Sequence, residues 1–427
     1  MKAYTEMTRD ELLALKDELT NEFEAHKAKN LALDMSRGKP GLDQLNISME
    51  MMDILNSSCD LRSEEGIDCR NYGELTGIGE AKRLLADMME VSPNEIIIYG
   101  NSSLNIMFDT VARGFLHGVM GNTPWFKLDK VKFLCPAPGY DRHFAITESF
   151  QVEMITIPMT PTGPDMDMVE EYVNNDPAVK GIWCVPKYSN PQGVTYSDGT
   201  VRRFANLKPA APDFRIYWDN AYCVHHLYED DQDFLLEILA ECKKAGNPDM
   251  VYKFSSTSKI SFPGSGIAAI AASEANIKEI SELLSIQTIG HDKLNQLRHV
   301  RYFKNLDGIH AHMMKHAELI RPKFEIVVSA LEQGIGGLGI GSWINPKGGY
   351  FVSFDSLEGC AKRIVGLAKE AGVKMTGAGA TYPYGKDPHD SNIRIAPTYP
   401  SLDELKAAME IFVTCVKLAS VEKLLEK

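Results

Sequence analysis

The chain has 427 residues, with 45 lysines and arginines against 58 aspartates and glutamates, for a net charge of −13. Hydrophobic residues make up 44% and charged residues 24%, an ordinary globular balance on a chain long enough for a large core and two domains. The acidic balance argues against a nucleic-acid backbone binder, and eight scattered cysteines with no CxxC pair indicate neither a disulfide framework nor a zinc ribbon.

The opening stretch MKAYTEMTRDELLALKDELT is acidic and amphipathic rather than a signal peptide. No apolar run approaches the ~20 residues that span a bilayer. A cytoplasmic protein with reduced thiols is expected. Thr8 to Lys29 predicts a helix: Thr8 is an N-cap, Glu11 completes a capping box, and Leu12, Leu13, Leu15, Leu19 and Phe23 recur at helical spacing. Leu33 to Asn46 is irregular, punctuated by Gly38, Pro40 and Gly41. Its Arg37 and Lys39 are either solvated or face an anion. Ile47 to Asn56 resumes helix, and Arg70 to Glu90 is a Gly-rich loop feeding a helix from about Ile78.

The pattern then alternates. Strand-like runs are Glu95 to Tyr99, Val131 to Cys135, Val152 to Ile157, Lys180 to Val185, Phe214 to Trp218, Asp249 to Phe254 and Gly266 to Ala272. Helical stretches separate most of them: Leu104 to Leu116, Tyr140 to Ser149, Asp165 to Asn174, Thr200 to Asn206 and Phe234 to Ala245. Seven such strands predict a large α/β domain with a mostly parallel sheet covered on both faces. Helix follows from Ala275 to about Glu332, then a glycine-rich stretch, Ile335 to Trp343. Strand Gly348 to Phe354, helix Leu357 to Ala371, strands at Val373 to Met375 and Asn392 to Ala396, and helix Leu402 to Leu425 complete a smaller α+β domain. The expected division is an N-terminal segment over 1–45 that packs with the small domain, a large domain over 46–305 and a small domain over 306–427.

In open parallel sheets, ligands sit at the carboxyl ends of the strands. Gly100, Asn101, Ser102 and Ser103 follow one strand and open a helix, which is either an ordinary cap or an anion site. Tyr140 follows the next, Asn190-Pro191-Gln192-Gly193 another. Asp219 and Tyr222 follow Phe214 to Trp218; a carboxylate at a buried strand end needs a cationic partner unless it is only a cap. Lys259 follows Asp249 to Phe254 in the turn FSSTSKISFPGSG, among hydroxyls and glycines that suit a phosphate. A lysine desolvated there suits Schiff-base chemistry, though a solvated lysine in a Ser-rich loop reads equally well from that turn alone. His310, His312 and His316 put two histidines at i, i+4, read as a solvated helix face rather than a metal site. His225 and His226 are read as structural neighbours of the Asp219 motif.

Taken in order, Asn190-Pro191-Gln192-Gly193, Asp219-Asn220-Ala221-Tyr222, Ser256-Thr257-Ser258-Lys259 and Arg394 resemble the motifs of a fold type I pyridoxal-phosphate enzyme of the aspartate aminotransferase superfamily, over about residues 30–400. SRGKPG, RNYGELTGIGEAK and GNSSLN look most like a divergent bacterial subgroup of aspartate aminotransferases. The resemblance implies pyridoxal 5'-phosphate (PLP) as cofactor, held by Lys259 as a Schiff base, with Lys259 then moving the substrate Cα proton. It implies Asp219 on the pyridine nitrogen, Asn190 and Tyr222 on the ring O3′, and Tyr140 stacked on the ring. Asn101, Ser102, Ser103 and Ser256 would hold the phosphate, and Tyr72 would reach the phosphate of a partner subunit in a homodimer. Arg394 would grip the substrate α-carboxylate, Gly38 falls in a segment closing over substrate, and Arg37 would read a distal carboxylate. Relatives read P-G-x-R after the lysine; here Pro263-Gly264-Ser265-Gly266 has no arginine. The activity implied is transamination of L-aspartate or L-glutamate with their 2-oxo acids. Rival readings are a transaminase for aromatic or 2-aminoadipate-like substrates, a β-lyase, or an aminotransferase-like transcriptional regulator, for which no DNA-binding domain is visible.

Overall fold

The computed structural model describes residues 2–426. Helix α1 (Arg9–Ala28) starts as expected, with Thr8 and Glu11 in a reciprocal capping box that contributes about 1 kcal/mol. The segment expected to be irregular contains strand β1 (Leu33–Met35), paired in parallel with residues 373–375, and the short helix α2 (Leu42–Ile47). The helix expected over Ile47 to Asn56 is instead a 3-10 turn at Met49–Asp53. Met51 is buried there while Met49 and Met52 are exposed, so no apolar stripe holds a longer helix.

Helix α3 (Gly79–Met89) leads into β2 (Ile96–Ile98), α4 (Ser103–His117), β3 (Lys132–Ala137) and α5 (Asp141–Ser149). Next come β4 (Glu153–Thr160), β5 (Gly163–Pro164), α6 (Met166–Asn175), β6 (Val179–Cys184), α7 (Asp198–Ala205) and β7 (Arg215–Asp219). Helix α8 (Ile238–Lys244) starts later than Phe234, because Glu237 accepts from the Leu239 and Ala240 amides as its cap and Phe234 is 86% exposed. Strands β8 (Val251–Ser256) and β9 (Ala268–Ala271) flank the Lys259 turn.

The large sheet has the order β2-β9-β8-β7-β6-β3-β4-β5. It counts eight strands rather than the expected seven, the addition being the two-residue β5. Strands β3, β4, β6, β7 and β8 are parallel, and β9 runs antiparallel to both β8 and β2. The carboxyl ends of β2, β3, β6, β7 and β8 therefore share one edge. Alternate side chains feed two cores: Phe133, Trp183 and Tyr217 pack on one face, and Leu134, Ile182, Ile216 and Trp218 on the other.

The helix expected from Ala275 to Glu332 is three: α9 (Glu274–Gln287), α10 (Lys293–Phe303) and α11 (Leu306–Ile335). Asp292 and Asn305 cap the later two with their side chains, and Lys304 between them has φ of 67°. Such caps offer backbone N–H groups an alternative to continued helix. Strands β10 (Gly341–Trp343) and β11 (Val352–Ser356), helix α12 (Ala361–Glu370), strands β12 (Val373–Met375) and β13 (Asn392–Ile395), and helix α13 (Leu402–Leu425) finish the fold. α12 starts at Ala361 rather than Leu357. β10, β11 and β13 form an antiparallel sheet whose residues share one core with α1, α11, α12 and α13. Among the described residues no helix is long and apolar enough to cross a membrane.

Inside the large sheet, Asp213 accepts from Lys180 Nζ at 2.6 Å and from Trp125 Nε1 at 2.8 Å, all three side chains being buried. Removing one member of such a network strands the others in a low dielectric. Asp213→Ala should cost about 3–5 kcal/mol, read as a lowered urea midpoint at unchanged m-value. A loss within about 1 kcal/mol, which is the range of a surface pair, would mean that water reaches Lys180.

Candidate active site

The shared edge of the sheet gathers most of the residues singled out above. Asp219 ends β7 and is 4% exposed. Its Oδ2 lies 3.0 Å from His143 Nε2, while Oδ1 is buried without a hydrogen-bond partner. His143 is held in turn by stacking on Trp183, with centroids 4.5 Å apart, and by the edge of Tyr140 at 4.9 Å. Burial pushes the Tyr140 phenol up to about 12.

Lys259 sits in the turn just beyond β8. Its Nζ lies 5.1 Å from the centre of the Tyr222 ring and 5.8 Å from that of Tyr350. Burial lowers the Lys259 amine from the ordinary lysine value, with the Asp219 charge pulling the other way. Burial raises Tyr222 well above the usual phenol range, so it stays a neutral donor at physiological pH.

The N-terminus of the 15-residue helix α4 opens on the same edge, and the Ser102 side chain makes no cap bond to it. Ser258 Oγ donates to the Asn101 carbonyl at 3.2 Å, and Ser256 Oγ to Ser258 Oγ at 3.0 Å. Asn101, Ser102, Ser103 and Ser256 thus stand around one mouth of free N–H groups and hydroxyls, an anion-binding geometry. A Cβ at Gly266 would meet Thr257 Oγ1 at 2.7 Å, so the position that lacks an arginine has no room for a side chain.

Arg394, in β13, donates from Nη1 to Asn190 Oδ1 at 3.2 Å and to Asp141 Oδ1 at 2.9 Å, and from Nη2 to Thr376 Oγ1 at 3.3 Å. Its guanidinium lies 4.8 Å from the Phe351 ring centre, and its Nε is buried without a partner. Gly38 passes over that same ring so closely that a Cβ would fall 2.3 Å from Phe351 Cζ. Arg37 beside it is exposed. Tyr72 is 81% exposed and stands apart from the cluster in this single chain.

Sequence reasoning missed His143, Asp141, Tyr350 and Phe351. His143 stands one helical turn beyond Tyr140, but no spacing says which carboxylate it meets. The reading of His312 and His316 as a solvated face is corrected: they are 4% and 1% exposed. They continue the buried stripe of Ile309, Met313, Ala317 and Ile320, a signal readable in the helical period. Only His310 of the three is exposed. His225 is buried between Tyr222 and Tyr350, and among the described residues no cluster of acidic, Cys or His side chains is placed to hold a metal ion.

The profile of a protein family described as aspartate amino-transferase matches residues 7–427. The chain is 43% identical over 407 residues to the aspartate aminotransferase of Corynebacterium glutamicum, covering 95% of this chain and 94% of that protein. The crystal structure of an aspartate transaminase from Corynebacterium glutamicum superposes with a TM-score of 0.96 at 42% identity, over 99% of both chains. An α-aminoadipate aminotransferase from Thermus thermophilus, solved with N-(5'-phosphopyridoxyl)-L-leucine, shares the fold alone: TM-score 0.71 at 19% identity, over 96% of this chain and 95% of that one. This chain belongs to the aspartate amino-transferase family and has the fold of the type I pyridoxal-phosphate-dependent aminotransferases.

Proposed function

We propose that the chain uses PLP to exchange an amino group between L-aspartate or L-glutamate and their 2-oxo acids, by ping-pong turnover in a homodimer. One observation carries the reading: a desolvated lysine amine and a carboxylate with an orphaned buried oxygen lie on the same sheet edge without pairing. Asp219 Oδ1 would suit a protonated heterocycle nitrogen, and Lys259 a carbonyl carbon. The residues present therefore fit the group that the family implies.

PLP, when bound, supplies an aldehyde that couples to amines and a pyridinium ring that draws electrons from the substrate Cα. Asp219, steadied by His143, would hold the pyridine nitrogen protonated. Lys259 would carry the cofactor and move the proton at the substrate Cα; its lowered affinity for protons leaves more neutral amine for both tasks. Asn190 and Tyr222 would donate to the ring oxygen, and Tyr140 would cover the ring. Asn101, Ser102, Ser103 and Ser256 would hold the phosphate through hydroxyls and amides, with Tyr72 contributing to the partner subunit's phosphate site. Arg394 would bind the α-carboxylate, exchanging its bond to Asp141 for a bidentate pair. The segment with Gly38 would close over substrate, and Arg37 would read the distal carboxylate. The aspartate in the relatives' names supports that substrate class. The break between α10 and α11, where Lys304 leaves helical geometry, supports the proposed boundary between large and small domains.

Borohydride reduction of the holoenzyme followed by peptide mapping should place a pyridoxyl group on Lys259, and Lys259→Ala should lose transamination. A label on another lysine would sink the assignment. Asp219→Ala should cut turnover by orders of magnitude more than it cuts cofactor retention, measured by single-turnover kinetics alongside absorbance of the retained cofactor. Near-normal turnover would reduce Asp219 to a strand-end cap. For substrate choice, loss of a charge-paired contact costs about 2–5 kcal/mol, or roughly a 30- to 4,000-fold drop. Arg37→Ala should lose kcat/KM for aspartate by that factor and change it little for leucine or phenylalanine. Equal losses on all three would remove Arg37 from the specificity pocket and leave the acidic side chain unexplained.

A further inference from the structure

The turn that carries Lys259 is gripped from below by histidines on two helices. On α11, His312 Nε2 lies 2.8 Å and His316 Nε2 3.1 Å from the backbone carbonyl of Ile260, the residue after the lysine. On α10, His299 lies 2.8 Å through Nε2 from Ser261 Oγ and 3.2 Å from Thr257 Oγ1.

The surrounding partners fix the proton positions. Gln44 Oε1 accepts from the Gly41 amide at 3.1 Å, so Gln44 Nε2 is the donor that meets His316 Nδ1 at 3.3 Å and Tyr350 Oη at 2.9 Å. His316 Nδ1 must then accept, which leaves the proton on Nε2, facing the Ile260 carbonyl. His312 Nε2 approaches that carbonyl at 2.8 Å, which assigns it a proton; Ser48 Oγ lies 3.2 Å from the same nitrogen, and Tyr302 Oη, which also reaches the Ile47 carbonyl at 3.2 Å, lies 3.3 Å from Nδ1. The two Nε2 atoms are 3.2 Å apart and converge on one oxygen, which the Ser48 hydroxyl also approaches, at 3.4 Å. His299 Nδ1 donates to the Asn295 carbonyl at 2.8 Å, so its Nε2 accepts from Ser261. All three imidazoles are neutral in this arrangement, as burial among apolar side chains requires.

We propose that His312 and His316 are positioning residues for Lys259: their two Nε2–H groups hold the Ile260 carbonyl and so fix the turn that keeps the amine in its desolvated place, while Gln44 ties the pair to the segment that carries Arg37 and Gly38. The proposal rests on the assignment of Lys259 as the reactive amine. A carbonyl one residue from the lysine transmits displacement to it directly, because the intervening peptide is planar and leaves few free dihedrals. The tie to the N-terminal segment is physical as well: Thr398 Oγ1 donates to the Lys39 carbonyl at 2.9 Å, on the same stretch as Gly41.

The test reads the amine itself. The full-length chain, freed of cofactor, is labelled with trace acetic anhydride across about pH 6–11, and Lys259 is mapped against the exposed Lys278 as internal reference. His316→Leu and His312→Leu remove a donor each, let the turn relax towards water and raise the Lys259 labelling midpoint. The Lys259-to-Lys278 ratio at about pH 8 should fall roughly 3- to 10-fold. His316→Gln, whose amide can still reach the Ile260 carbonyl, should stay within about twofold of the parent. A leucine variant with the parent's melting temperature and an unmoved midpoint overturns the proposal. Where a leucine variant fails to fold, His316→Asn, whose amide is too short to reach, is read in the same way, and an unmoved midpoint again overturns it. Borohydride mapping keeps the two claims apart: a label away from Lys259 defeats the assignment, whereas a label on Lys259 with an unmoved midpoint defeats only the role of the histidines.

Discussion

The site depends on a half-buried lysine and a buried aspartate being kept from each other. A direct pair would satisfy both charges and leave neither available. Desolvating an ion costs several kcal/mol unless a partner is supplied, so the separation must be enforced by the fold. Strand β7 ends at Asp219 and β8 runs beside it, in register Asp219 to Phe254, so Lys259 emerges from the turn beyond β8 rather than opposite the carboxylate. The Tyr222 ring lies 5.1 Å from the amine, and the His143 imidazole takes Oδ2 of the carboxylate.

The sheet sustains this separation by being buried on both faces. Aromatic residues of β3, β6 and β7 pack on one side, with Trp183 and Tyr217 centroids 4.7 Å apart. Leu134, Ile182, Cys184, Ile216 and Trp218 of the same strands fill the other side. A sheet so packed cannot shift one strand end without disturbing two cores, because protein interiors are close-packed. The polar groups at the edge therefore inherit positions set by apolar residues well below them. His143 is a clear case: Trp183, one strand over, orients the imidazole that orients Asp219.

The strand ends and the residues after them were legible in the sequence, because a continuous apolar run followed by Gly, Pro, Asn or Asp has few other readings in an α/β chain. The strand order was not legible: strands buried on both faces show no alternation to say which neighbour each takes. The breaks before α10 and α11 were hidden for a different reason. Asp292 and Asn305 are ordinary polar residues in a helical pattern, and only the observed bonds from the Asn295 and Gly308 amides reveal them as caps. The burial of His312 and His316 is signalled by period rather than by residue type: Met313, Ala317 and Ile320 place that face inside, whereas histidine alone suggests a solvated one. Arg394 was visible at the end of its strand, but its bond to Asp141 joins residues 253 positions apart, which no local pattern encodes.

Gly266 shows how a departure from a family pattern can be a packing requirement. The Thr257 hydroxyl accepts from the Ile267 amide at 2.9 Å and lies 3.2 Å from His299 Nε2, drawing the two arms of the turn together. Any side chain at 266 would collide with that hydroxyl. The same closeness lets Asn295 donate to the Gly266 carbonyl at 2.8 Å, tying the turn to α10. An arginine there would require this turn to open. Charge at an anion site can come from a guanidinium or from aligned N–H dipoles and hydroxyls, and the α4 N-terminus at Ser102 and Ser103 has groups of the second kind. A histidine-anchored turn thus stands where the sequence resemblance leads one to expect an arginine, and the α4 N-terminus opens on the same edge of the sheet.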